Sequence, residues 1–128
     1  MSTPTNQATA SGGLPIIEAC LDLIRWYIPS LNRLPRQNKF GLGDRLIANL
    51  YNLLDQLVYA GYSSRKLPIL EPLNAHIILI QLQTRLLHEF TLIDLRRYEH
   101  ASRLIAAIGR QHSGWLAQQR RPAPANGA

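Results

Sequence analysis

Positively charged side chains are clustered at three places in this sequence. The first group lies in the stretch NRLPRQNKFGLGDR at residues 32–45, and its cations are Arg33, Arg36, Lys39 and Arg45. Pro35 stops a helix, and Gly41 and Gly43 loosen the backbone that follows. The stretch therefore predicts a basic connector between two helices, placed to meet an anionic partner, although a solvated loop would use the same residues.

A row of arginines near the carboxyl end is the second group. Arg96, Arg103 and Arg110 recur every seven residues, so they share one face of a helix, and Arg97 broadens that face. The face lies opposite the apolar residues of the same segment. It spans about 21 Å, enough to follow several phosphates of a nucleic-acid backbone. A solvated helix face would have the same pattern, and this alternative stays open.

The third group is the pair Arg65-Lys66, which has the same sign as the other two. The net charge is +6, and most of the cations are arginine, whose planar fork suits phosphate contact better than lysine does. The excess charge lies in residues 25–45 and 94–128, on either side of a neutral middle. This distribution favours an anionic partner, such as RNA or DNA, over charge that serves solubility alone.

Enzyme and metal motifs are incomplete in this sequence. His88-Glu89 begins like a zinc-protease HExxH, but Leu92 stands where the second histidine belongs. Gly109 and Gly114 have the spacing of a phosphate-binding loop, but Trp115 follows in place of lysine. The sequence therefore predicts no catalytic residue, no metal site, no cofactor and no enzymatic activity.

The cysteine content and the lengths of the apolar runs indicate the cellular compartment. Cys20 is the only cysteine, which excludes an intramolecular disulfide and fits a reducing compartment. No apolar run is long enough to span a membrane, and the amino terminus lacks the basic start and apolar core of a signal peptide. We expect a cytoplasmic protein without a membrane partner.

Apolar residues at helical spacing predict four helices that position these groups. The predicted helices run from about Leu14 to Arg33, from Asp44 to Ala60, from Leu73 to Phe90, and from Leu92 or Leu95 to Gln118. Thr91 and Asp94 have capping-box spacing before the last helix. The connectors are short, so the predicted fold is all-α: an antiparallel up-down four-helix bundle over residues 14–119. Residues 1–13 and 120–128 are predicted to be flexible tails.

One run of residues does not suit a lone bundle. Ile77, Ile78, Leu79 and Ile80 are consecutive, so they cover most of the circumference of the third helix. A helix that is apolar on so many sides must be buried on more than one. The sequence therefore predicts that these four residues contribute to an interface between subunits of a homo-oligomer; a central helix wrapped by its three neighbours is the alternative.

The order and spacing of several short motifs resemble one protein family. They are Tyr27-x-Pro29, Leu34-Pro35-Arg36, Ala60-Gly61 and the closing Ile108-Gly109-Arg110…Ser113-Gly114-Trp115-Leu116. Over about residues 16–118 the chain resembles the accessory variability determinant (Avd) proteins of diversity-generating retroelements. The resemblance implies a four-helix bundle that assembles into a homopentameric barrel with a basic surface.

The same resemblance implies a non-catalytic function. Proteins of that family bind nucleic acid and the reverse transcriptase of the element, and they support mutagenic copying of a template RNA into cDNA. Leu42-Gly43-Asp44-Arg45 is also similar to the four-helix-bundle proteins encoded in intervening sequences of 23S ribosomal RNA genes. A structural or protein-interaction bundle without affinity for nucleic acid is a third possibility from a different class.

Overall fold

Four long helices dominate the structure, a computed structural model that describes residues 13–122 of the chain. They are α1 (Gly13–Asn32), α2 (Asp44–Tyr62), α3 (Leu73–Glu89) and α4 (Leu95–Gln119). Residues 13–122 contain no strand, so the all-α prediction is confirmed for this part of the chain. The predicted tails lie outside the described residues, except that Gly13 belongs to α1 and residues 120–122 follow α4.

Each long helix packs against two others, α1 and α3 both contacting α2 and α4. Side-chain contacts give the directions of these helices. Arg97, near the start of α4, bonds Ser30 near the end of α1, and Arg120, just after α4, pairs with Glu71 just before α3. Neighbouring helices therefore run antiparallel, as in the predicted four-helix bundle.

The core consists of one apolar stripe from each helix. The α2 stripe contains Leu46, Leu50, Leu53 and Leu57, and in α4 the buried set includes His112 and Trp115. Two hydroxyl groups inside the bundle have partners, which offsets the cost of burying them. The Tyr27 and Thr84 hydroxyls bond each other across the bundle, and Thr84 also donates to the carbonyl oxygen of Ile80.

The connector between α1 and α2 is helical, which corrects the prediction of a loop loosened by glycine. Residues Arg36–Asn38 form an α-helical turn, and Lys39–Gly43 form a wider π-helical turn that runs directly into α2. Pro35 lies just before these turns and accepts backbone hydrogen bonds from Asn38 and Lys39, both at 2.9 Å. Packing overrides the tendency of Gly43 to interrupt a helix. This glycine is buried so tightly that a Cβ there would lie 3.3 Å from the Asn38 carbonyl oxygen.

The start of α4 also differs from the predicted capping box. Asp94 is the capping residue, and its carboxylate accepts a hydrogen bond from the Arg97 backbone N–H at 2.9 Å. Thr91 instead follows the end of α3 and has a positive φ of 56°. It belongs to the turn that closes α3, where its N–H donates to the carbonyl oxygen of His88.

Candidate nucleic-acid interface

The predicted arginine row lies on the outer face of α4. Arg96, Arg103 and Arg110 are exposed, and the residues on the opposite side of the helix are buried in the core. Among residues 13–122, the arginines that form ion pairs are Arg25, Arg85 and Arg120. The guanidinium groups of the row are therefore available to an external anion.

One carboxylate lies on the same outer face of α4 as the arginine row. Glu99 is exposed and lies four residues before Arg103 and three after Arg96, positions from which helical side chains can meet. Neither arginine forms an ion pair with Glu99. The face keeps a positive balance along its length, with Glu99 as a local source of repulsion for phosphate.

A cleft between α1 and α4 adds aromatic rings to the basic face. It has a volume of about 410 Å³, and no acidic side chain lines it. Its lining residues are Trp26, Arg96, Arg97, His100 and Arg103. The indole of Trp26 is only half-buried, with its ring centre 5.7 Å from that of His100. This cleft was not predicted, because its residues come from helices far apart in the sequence.

Arg97 lines the cleft but is held in place by the protein. Its terminal nitrogen donates to the Ser30 hydroxyl, and its guanidinium lies over the Trp26 ring at 5.4 Å from the centre. The Ser30 hydroxyl in turn donates to the carbonyl oxygen of Trp26 at 3.1 Å. Arg97 thus fixes the indole and supplies positive charge, and it is less free than Arg96 or Arg103 to follow a ligand.

The connector cations lie at the same end of the bundle as the start of α4. The contact between Ser30 and Arg97 brings the end of α1 to that place. Arg33, Arg36 and Arg45 are exposed, whereas Lys39 is half-buried. Arg36 lies 5.8 Å from the ring centre of the exposed Phe40, so an aromatic ring accompanies the cation here as well.

The third predicted group divides into two residues with different environments. Lys66 donates to the carbonyl oxygens of Ala60, Gly61 and Ser63 at 3.0, 3.2 and 2.7 Å. Burial lowers the pKa of its ammonium. All three donors are engaged at the end of α2, and the assignment of Lys66 as a phosphate contact stays a prediction. Arg65 is exposed.

The predicted subunit-interface residues also divide. Ile77 and Ile80 are buried inside the bundle, whereas Ile78 and Leu79 are 45% and 42% exposed. The assignment of the four residues to a subunit interface stays a prediction. Further exposed apolar side chains continue along the same helix and its end. We define the α3 stripe as Ile78, Leu79, Leu82, Leu86 and Phe90.

Among residues 13–122, no three histidine, cysteine, aspartate or glutamate side chains come together as metal ligands. Cys20 is fully buried, and burial raises the pKa of its thiol to about 12. His112 is a core histidine, with Nε2 at 2.7 Å from the Leu70 carbonyl oxygen.

A comparison with protein families identifies the group to which this four-helix chain is related. The family model described as bAvd-like matches residues 16–119, which include nearly all of the four helices. The chain belongs to the bAvd-like family. The predicted resemblance to Avd proteins is thereby confirmed. No match to the chain is found among curated proteins.

Within residues 13–122, each helix is too short or too polar to cross a bilayer.

Proposed function

We propose that the protein is a non-catalytic, nucleic-acid-binding accessory protein of the Avd type, which works with a reverse transcriptase in a diversity-generating retroelement. The observation that carries the nucleic-acid part is the row Arg96, Arg103 and Arg110, exposed and without ion pairs on the face opposite the core. Membership of the bAvd-like family supports the accessory role.

The proposed contact is with phosphates and is independent of base sequence. Three guanidinium groups spaced by two helical turns follow a line about 21 Å long, and Arg33 and Arg36 extend the positive surface at one end. Each phosphate that an arginine neutralises releases a counterion. The affinity must therefore fall steeply as salt rises, with a slope set by the number of contacts.

We also propose that the protein assembles as a homo-oligomer, a pentamer by analogy with the Avd proteins that it resembles. The α3 stripe supports assembly, because it leaves five large apolar side chains exposed along α3 and at its end on a single chain. The stripe and the arginine row lie on neighbouring helices. A second copy could therefore cover α3 while α4 stays open to nucleic acid and the polymerase.

The test compares two triple variants that remove the same charge from different places. Arg96→Gln, Arg103→Gln and Arg110→Gln together remove the row. The matched control replaces Arg25, Arg85 and Arg120, the arginines that pair with carboxylates on the protein, by glutamine. Fluorescence anisotropy with labelled RNA and DNA at several salt concentrations measures affinity and salt slope.

We expect the row variant to lose most of its affinity at low salt and to flatten the slope of log affinity against log salt by up to about three units. The control variant should stay close to the parent. Circular dichroism should give the parent spectrum for both variants, since exposed side chains are changed. A folded row variant that binds as tightly as the control would refute the proposal, and a parent protein that binds no nucleic acid would favour a protein-interaction bundle.

A further inference from the structure

We propose that the cleft between α1 and α4 holds one unpaired base of a single-stranded nucleic acid, stacked on the rings of His100 and Trp26. This inference rests on the proposed function and adds a preference: the protein should favour strands with exposed bases over duplexes. The juxtaposition that carries it is an aromatic pair set among three arginines in a concave site free of carboxylates.

The aromatic surface is available and is held in position. His100 is exposed on α4, and the indole of Trp26 stands beside it, the two rings tilted by 45°. Arg97 lies over the indole, and Tyr27 meets it edge-on with ring centres 4.9 Å apart. A ring so confined loses little freedom when a base stacks beside it, which favours binding.

The charges around these rings fit the two sides of a nucleotide. Arg96 and Arg103 are two helical turns apart, about 10.5 Å along α4, and His100 lies between them. A base on His100 would place the sugar-phosphate backbone along the helix, with phosphates before and after the base near these two arginines. Aromatic platforms within a basic groove are the usual means of binding single strands without sequence preference.

A duplex cannot use the site in the same way. Its bases are stacked and paired inside the helix, so it offers the cleft phosphates alone, and extruding a base costs energy. Phosphate contact therefore contributes to binding of both forms, while stacking contributes only to the form with unpaired bases. The two contributions can be separated by removing bases without removing phosphates.

The experiment uses fluorescein-labelled oligothymidylate, an abasic oligonucleotide with the same number of phosphates, and a hairpin duplex. Anisotropy titrations compare the full-length protein with His100→Ala and with His100→Phe, which keeps an aromatic ring. We expect the parent to bind oligothymidylate about tenfold more tightly than the abasic strand. His100→Ala should remove most of this difference, His100→Phe should keep it, and the abasic and duplex affinities should not change.

Intrinsic fluorescence supplies a second readout on the same samples. Trp115 is buried in the core, so quenching by a bound base would come from Trp26. We expect oligothymidylate to quench the emission and the abasic strand to leave it nearly unchanged. Equal affinity and equal quenching for the two strands would overturn the stacking site while leaving the phosphate-binding function intact. A failure of all three probes to bind would instead overturn the proposed function itself.

Discussion

Arg65 and Lys66 show how two adjacent cations can serve different purposes. The ammonium of Lys66 bonds three carbonyl oxygens at the end of α2, whereas Arg65 is exposed. We expect Lys66→Met to lower the free energy of unfolding by about 1–3 kcal/mol, because carbonyl oxygens lose a charged donor. The control Arg65→Met should stay within about 0.5 kcal/mol of the parent.

The measurement for this pair is urea unfolding at a fixed protein concentration, together with the salt slope of nucleic-acid binding. The slope should be the same for Lys66→Met as for the parent. A flatter slope with unchanged stability would show that Lys66 contacts phosphate after all.

Cys20 provides a prediction about pH. Its folded-state pKa of about 12 lies above the ordinary value of 9.0, so the unfolded chain releases this proton first as pH rises. The contribution of Cys20 to stability is therefore complete below pH 9.0 and declines between 9.0 and about 12. Cys20→Ala should lose less stability than the parent over that interval, as measured by urea unfolding at several pH values.

Chemical modification of the same thiol tests whether Cys20 is buried. A disulfide reagent at mildly alkaline pH should modify Cys20 only after denaturant is added, because the thiol is fully buried. Rapid modification of the native protein would contradict both the burial and the raised pKa.

At the scale of an element, two glycines in the connector should respond differently to the same change. An added Cβ at Gly41 meets nothing within 4 Å, whereas at Gly43 it would lie 3.3 Å from the Asn38 carbonyl oxygen. Gly41→Ala should stabilise the protein by about 0.5–1 kcal/mol through helix propensity. Gly43→Ala should give a smaller gain or a loss, and thermal unfolding of both variants should rank Gly41→Ala above Gly43→Ala.

The sequence predicted the four long helices because their apolar residues recur at helical spacing over many turns. It did not predict the helical connector, since Pro35 and the glycines signal a break, and the contacts that bury Gly43 are visible only in three dimensions. A lysine shortly after the predicted end of the second helix was an available signal for the role of Lys66. The arginine row could be predicted because its residues lie on one helix. The cleft beside it could not, because its residues come from α1 and α4 and their packing is not evident from the sequence.

At the scale of the whole molecule, the outer faces of the helices differ in chemistry. α4 presents arginines, α3 presents the apolar α3 stripe, and α2 presents tyrosines with an acidic neighbour, Asp55. Three exposed tyrosines lie on α2: Tyr51, Tyr59 and Tyr62. Because these faces point in different directions, the proposed contacts with nucleic acid and with another protein do not exclude each other.

Because the α3 stripe lies outside the core, assembly can be tested separately from folding. Leu82 lies in the α3 stripe and is 49% exposed, so Leu82→Glu should place a charge in the proposed subunit interface without disturbing the core. We expect light scattering to give a mass near 14.4 kDa for this variant and a multiple of that mass for the parent. Tyr59→Glu on α2 is the control and should assemble as the parent does. A monomeric parent at micromolar concentration would refute the oligomer.

The π-helical turn at Lys39–Gly43 has a consequence for how this chain can change in length. A π turn is an α-helical turn that holds one additional residue. Loss of a residue from this turn would restore regular α-helix and leave the leucines of α2 facing inward. The same loss in the middle of α2 would rotate everything beyond it by about 100° and carry the apolar stripe out of the core. Single-residue insertions and deletions during the divergence of such chains should therefore accumulate at this turn and be absent from the helix that follows.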